Sequence, residues 1–120
     1  MTLNEYQDKA MQTCMDSCRN FPYMLGLLCE EVGELQGKFN KAVRKELIEY
    51  NGNRMTWKGT QEQLEDFYAE CQKELGDIMW AVAGTTEVFT WDLRGVGQTN
   101  LDKLASRHKR GVIDGVGDNR

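Results

Sequence analysis

Proline and histidine each occur once in 120 residues, and acidic residues outnumber basic ones by 19 to 15. No apolar run approaches the roughly 20 residues that span a bilayer. Each scarcity excludes something. With proline only at position 22, nothing breaks the long periodic segments that follow it. Cys14 and Cys18 stand one helical turn apart, as half a zinc site would, but His108 is a single histidine and no C-x-x-C pair occurs, so the other half lacks donors. The four cysteines are expected as buried, reduced thiols. A net charge of −4 argues against a surface for a nucleic-acid polymer, which needs a basic excess to displace counterions. The start "MTLNEYQDKAMQ" has neither the basic head nor the apolar centre of a secretory signal, which predicts a cytoplasmic protein with no membrane partner.

What the chain does hold is ordinary globular composition, 40% hydrophobic and 28% charged, in a length that suits one domain over residues 1–120. Thr2 with Glu5 forms a capping-box pattern that opens a first helix expected from Leu3 to about Cys18. Pro22 suits the first turn of a second helix, expected to reach about Tyr50, with Leu25, Leu28, Val32, Leu35, Phe39 and Val43 on its inner face. "NGNRMTWKG", residues 51–59, reads as a turn and loop. Thr60 with Gln63 caps a third helix whose inner face carries Leu64, Phe67, Cys71, Leu75, Ile78 and Val82. A last helix is expected over Asn100–Lys109 with Leu101, Leu104 and Ala105 inward, followed by an irregular tail over 111–120. The fold class expected is an all-α bundle of about four to five helices. Its stripes are long for so small a chain, which predicts a homodimer, with a tetramer as the larger alternative.

Charge intrudes on both long stripes. With Glu31 at zero on a wheel of about 100° per residue, the apolar residues fall between roughly 40° and 120°, Glu34 near −60° and Glu30 near −100°. With Glu74 at zero, Asp77 falls near −60° and the apolar face again near 40° to 100°. Each helix therefore flanks its apolar stripe with acids at i and i+3, and packing the stripes together would bring Glu31, Glu34, Glu74 and Asp77 into one group. Gly33 and Gly76 each precede the outer acid at a cost of about 1 kcal/mol relative to alanine, which suggests close approach or room for a ligand. Four carboxylates together call for a hard cation, magnesium first and manganese second. Acids three or four apart are also common on solvated helix faces, so the spacing alone leaves both readings open. Asn100, Lys103, Arg107 and Arg110 share one face of the last helix, a row of donors suited to a polyphosphate or simply complementary to the helix dipole.

"LGLLCEEVGEL" followed by "KELGDIMW", "NLDKLASRHKRG" and the terminal "GDNR" resembles the all-α nucleotide pyrophosphohydrolases of the MazG type, relatives of the dimeric dUTPases and dCTP pyrophosphatases. The resemblance implies hydrolysis of a nucleoside triphosphate between its α and β phosphates, giving a monophosphate and pyrophosphate, with magnesium. Carried over by position, Glu31, Glu34, Glu74 and Asp77 would be metal ligands. Glu30, with Glu31 and Glu34, would belong to the catalytic group, Glu30 orienting water. Asn100, Lys103 and Arg107, and more weakly Arg120, would contact phosphates. Two features depart from the family pattern: the spacer between Glu34 and Glu74 is long, and Ala81 stands where an aromatic often lies, leaving Trp80 or Trp57 as the stacking residue or as core. The rival reading is a non-catalytic helical dimerisation or adaptor protein with the same fold.

Overall fold

A computed structural model describes residues 1–120 as four α-helices and one β-hairpin: α1 (Leu3–Met11), a 3-10 turn (Asp16–Cys18), α2 (Phe21–Arg44), β1 (Ile48–Asn51), β2 (Arg54–Trp57), α3 (Gln61–Val88) and α4 (Leu93–Lys109). Both expected capping boxes form, Thr2 with Glu5 and Thr60 with Gln63, each hydroxyl accepting from the N3 amide and each long side chain accepting from the cap amide. Asn20 caps α2, its Oδ1 accepting from the Tyr23 amide at 2.9 Å, with Pro22 in the first turn. Asp92 caps α4 by accepting from the Gly95 amide at 2.8 Å.

The helix ends follow one rule that the sequence conceals. At the end of α2 the Leu47 amide reaches Ala42 O and the Glu46 amide reaches Val43 O. At the end of α3 Trp91 reaches Thr86 and Thr90 reaches Glu87; at the end of α4 Val112 reaches Arg107 and Gly111 reaches His108. All three are Schellman closures turning on a left-handed residue, Glu46 (φ 59°), Thr90 (φ 63°) and Gly111 (φ 69°). Only the last is glycine. With no glycine to mark the stop, the expected run of the second helix to Tyr50 is corrected to Arg44, and residues 48–57 form an antiparallel hairpin pairing Ile48 with Trp57 and Asn51 with Arg54. Gly52, at φ 60°, takes the first central position of its two-residue turn, where a positive φ is needed. The first helix is likewise shorter than expected, ending at Met11 rather than Cys18. The last begins at Leu93 rather than Asn100.

Helices α2 and α3 form the antiparallel pair on which everything else rests. Met24, the most completely buried large side chain, lies directly over Gly84, and a Cβ there would collide with its Sδ and Cε. Phe39 meets Phe67 edge to face at 5.1 Å farther along the pair. The core cluster of Met11, Cys14, Met24, Ala83 and Leu93 joins this pair to α1 and α4. Gln7 fixes the corner: its buried side chain donates to Trp91 O at 3.1 Å and accepts from the Leu93 amide at 2.7 Å. Trp80 ties α3 to α1 by donating to Ala10 O at 3.1 Å and Thr13 Oγ1 at 2.9 Å.

The inner faces are rotated from the expected ones. On α2 the covered positions run Met24, Leu28, Glu31, Leu35, Lys38 and Ala42, while Leu25, Val32 and Val43 are exposed. On α3 Glu74 is buried and Leu75 is 51% exposed. On α4 Leu101 and Leu104 are 61% and 41% exposed, and Ala105 is also outward. The expectation that these residues point inward fails within one protomer, because the second half of α4 has only its own tail to lie on. Among the cysteines, Cys14 and Cys71 are buried, Cys18 is half-buried and Cys29 is exposed; all four are free thiols, so the expectation of burial fails at Cys29. No helix is long and apolar enough to cross a membrane.

Candidate metal and phosphate site

Pairing α2 with α3 brings Glu31, Glu74 and Asp77 together, with one carboxylate oxygen of each within 4.8 Å of the others. Glu74 is buried, Glu31 half-buried and Asp77 exposed, so the trio grades from core to solvent. Burial first, and then the charges of Glu34, Asp77, Glu30 and Glu74, push the Glu31 carboxyl above its usual value. Tyr6 of α1 is raised by burial and by the Asp77 charge, which places α1 beside the same group. Around magnesium, adjacent oxygens stand about 3.0 Å apart and opposite ones about 4.2 Å, so side-chain rotation that draws the three oxygens closer would be needed to close the trio on a hard divalent ion. The donor set fits: three oxygens, excess negative charge and an open side for water or phosphate. Glu34 is exposed and stays outside the trio, near enough to act on Glu31 by its field; Glu30 lies farther out on the exposed face. A Cβ added at Gly33 or Gly76 would meet nothing within 4 Å, so within the protomer both glycines border open space.

One cation reaches the trio. Lys38 Nζ sits 3.2 Å from Glu74 Oε1 and 3.1 Å from Glu70 Oε2, and Lys73 Nζ holds the other Glu70 oxygen at 3.0 Å. Hydrogen bonds to Glu70 and then Glu74 hold the Lys38 ammonium above its usual pKa, while Lys73 and then Lys38 pull Glu70 below its own. Lys38 was not among the residues picked out from sequence. The signal was its place on the covered row, seven residues after Glu31 and one helical turn after Glu34.

The basic row of α4 is partly covered by the chain's own tail. Arg107 is buried, and its Nη2 donates to Asp118 Oδ1 at 3.1 Å and Asp118 O at 2.9 Å. Its Nε is buried without a partner. Lys103 Nζ lies 3.5 Å from the same Asp118 carboxylate. These two cations hold Asp118 below its usual pKa, the Arg107 hydrogen bond contributing most. Arg120 donates to Val112 O at 3.1 Å, to Ile113 O at 3.2 Å and to Gly117 O. The tail forms no helix or strand, as expected, and loops back to wrap on Arg107. Asn100 is exposed and outside this network. Within one protomer no ion pair or hydrogen bond joins the basic group to the acid trio.

The helical pair presents three clustered carboxylates, a donor set that could hold a metal ion. The model of the MazG nucleotide pyrophosphohydrolase domain matches residues 20–112, from the cap of α2 to the turn after α4. The chain belongs to that family, whose members are hydrolases acting on phosphoric anhydrides. It is 36% identical over 129 residues to the Gene 37 protein of Mycobacterium phage L5, with all of both chains covered. No solved structure gives a significant match.

Proposed function

We propose that this protein is a magnesium-dependent nucleoside triphosphate pyrophosphohydrolase that converts a (d)NTP to its monophosphate and pyrophosphate in the cytoplasm, with manganese as a substitute ion. The observation that carries the reading is the convergence of Glu31, Glu74 and Asp77 oxygens within 4.8 Å across two helices of a chain in this family. Those three residues would hold the metal, with Glu34 closing on it from the margin. When bound, the ion supplies charge neutralisation at the phosphates and a more acidic water. Glu30 and Glu31 would orient the attacking water and take its proton. Asn100, Lys103, Arg107 and Arg120 would stabilise the departing pyrophosphate by charge-assisted hydrogen bonds.

The working unit we propose is a homodimer. A compact protein of 13.8 kDa exposes about 6,600 Å², whereas this protomer exposes 8880 Å². Its radius of gyration is 17.9 Å, against about 14 Å for a compact chain of this length. The excess of about 2,300 Å² per protomer is the scale of an obligate interface. Exposed Val32, Leu75, Met79, Leu101 and Leu104 supply apolar residues for it.

Pyrophosphate release from a panel of nucleoside triphosphates, titrated with magnesium, tests the activity. Release that requires the ion and disappears in a Glu74→Gln, Asp77→Asn double variant is expected. Absence of release from every substrate, with the variant matching wild type, refutes the reading. Sedimentation should give twice the protomer mass, and a 13.8 kDa species at micromolar concentration would exclude the dimer.

A further inference from the structure

Glu74 is the most deeply buried acid of the trio, and Lys38 is its single ion-pair partner. The pair crosses from α2 to α3, so the ammonium approaches Glu74 from the opposite helix and takes one oxygen, Oε1, at 3.2 Å. The lysine is itself held. Glu70, one turn before Glu74, engages Nζ at 3.1 Å with one oxygen and Lys73 at 3.0 Å with the other. A chain of four charges, Lys73, Glu70, Lys38 and Glu74, thus runs from the surface to the acid trio, its side-chain exposure falling from 71% at Lys73 to 10% at Glu74.

We propose that Lys38 is a positioning residue for the metal site: by holding Glu74 Oε1 it fixes the carboxylate in the rotamer that brings it to Glu31 and Asp77. The inference rests on the pyrophosphohydrolase reading and adds a residue that acts on the ligand set without joining it. Repulsion works against the trio as it stands. Its three acids carry like charge at close range, and the field of their neighbours contributes to the rise of the Glu31 carboxyl. A free Glu74 side chain, with several rotatable bonds, would relieve that repulsion by swinging away. An ammonium anchored on α2 and tied to Glu70 opposes the swing. Partners that orient a ligating carboxylate in this way typically carry about 10–100-fold in metal affinity. The role also has a sign that separates it from simple charge. An ammonium beside a bound cation repels it, so a lysine acting through its field alone would tighten metal binding when removed. A lysine acting by position would loosen it.

Manganese binding to nucleotide-free protein, followed by electron paramagnetic resonance of the free ion, reads that sign directly. Lys38→Met keeps the aliphatic stem and should weaken binding about tenfold or more. Lys38→Arg should restore most of the loss, since a guanidinium offers donors to both carboxylates. Glu70→Gln removes the lysine's second anchor and leaves Glu74 paired, so it should give a smaller loss. Lys73→Met, at the exposed end of the chain of charges, should bind as wild type does. Pyrophosphate release by Lys38→Met should be impaired at low manganese and return toward the wild-type rate with excess ion, because the deficit lies in assembling the site. If Lys38→Met does not fold, as circular dichroism would show, Glu70→Gln measured against Lys73→Met decides the matter, and equal affinities in those two overturn the proposal. Tighter or unchanged binding in a folded Lys38→Met, a loss that arginine leaves in place, or a turnover deficit that excess ion does not relieve each overturns it as well. Wild type that binds no manganese and releases no pyrophosphate removes the hydrolase reading and the role of Lys38 together. Wild type that binds the ion but turns over nothing, with the expected loss in Lys38→Met, removes the hydrolase reading and keeps the positioning role. Wild type that does both, with Lys38→Met unchanged, removes the positioning role alone.

Discussion

Alanine at Gly33 or Gly76 should make the protein more stable and less active. Each glycine lies inside a helix, where alanine is favoured by about 1 kcal/mol. At both positions the new Cβ meets nothing within 4 Å, so no steric term opposes the gain. For 120 residues the unfolding entropy near the midpoint is about 0.25 kcal/mol/K, so each substitution should raise the melting temperature by about 4 °C. Gly84→Ala is the internal contrast. Its Cβ would overlap Met24 Sδ and Cε in the tightest part of the core, and overpacking of that kind costs about 1–3 kcal/mol. Gly84→Ala should therefore melt about 4–12 °C below the other two. Activity separates the roles further. Gly33 and Gly76 each precede an acid of the site, Glu34 and Asp77, and open space there has a use only if substrate or a second copy enters it. Scanning calorimetry gives the stabilities and pyrophosphate release gives kcat/KM, which should fall about tenfold in each stabilised variant, equal to about 1.4 kcal/mol of transition-state binding. Stabilised variants with undiminished activity would refute the idea that the space is reserved, and destabilised ones would refute the helix argument itself.

Three other outcomes are expected. Thr90→Gly should raise the melting temperature by about 4 °C, because a β-branched residue at φ 63° costs roughly 1–2 kcal/mol that glycine avoids; no rise would show the closure of α3 to be unstrained. In chelator, melting temperature should climb as pH falls from 7 toward 4.5. The folded state takes up a proton at Glu31 more readily than the unfolded chain does, whereas the lowered carboxyls Glu70 and Asp118 lose stability only below their ordinary values. Glu31→Gln should flatten that climb, and a climb that persists would assign it elsewhere. Asp118→Asn should free the tail from Arg107 and speed trypsin cleavage after Lys109 and Arg110, as followed by mass spectrometry; an unchanged cleavage rate would show that the carbonyl contacts alone hold the loop.

Three helix starts were legible because they are written in side chains, Thr2 and Thr60 in capping boxes and Pro22 in a first turn, whereas the start of α4, capped by Asp92, was missed and placed at Asn100. The end of α4 at Lys109 was legible from Gly111, but the ends of α2 and α3 were not, because Glu46 and Thr90 take left-handed backbone that only glycine would have announced. The hairpin was hidden for the same reason, although "IEYN" and "RMTW" flanking Gly52 and Asn53 carry the spacing of a two-residue turn. The wheel placed Glu31 and Glu74 at the border of the apolar stripe, and Glu31, Glu74 and Asp77 did converge. It could not show that Glu74 is buried while Leu75 is exposed, since a helix that serves two neighbours has two inner faces and periodicity reports their sum. Arg107 was read as one of a row of phosphate donors, and its burial under the tail went unseen because nothing in a row of basic residues signals which one a distant segment will cover.

The hairpin has only four residues in each strand, a structure too small to be stable without its packing on the helical pair. Such an element opens at lower free energy than the long helices beneath it, so the amides of residues 48–57 should exchange with solvent well before those of α2 and α3.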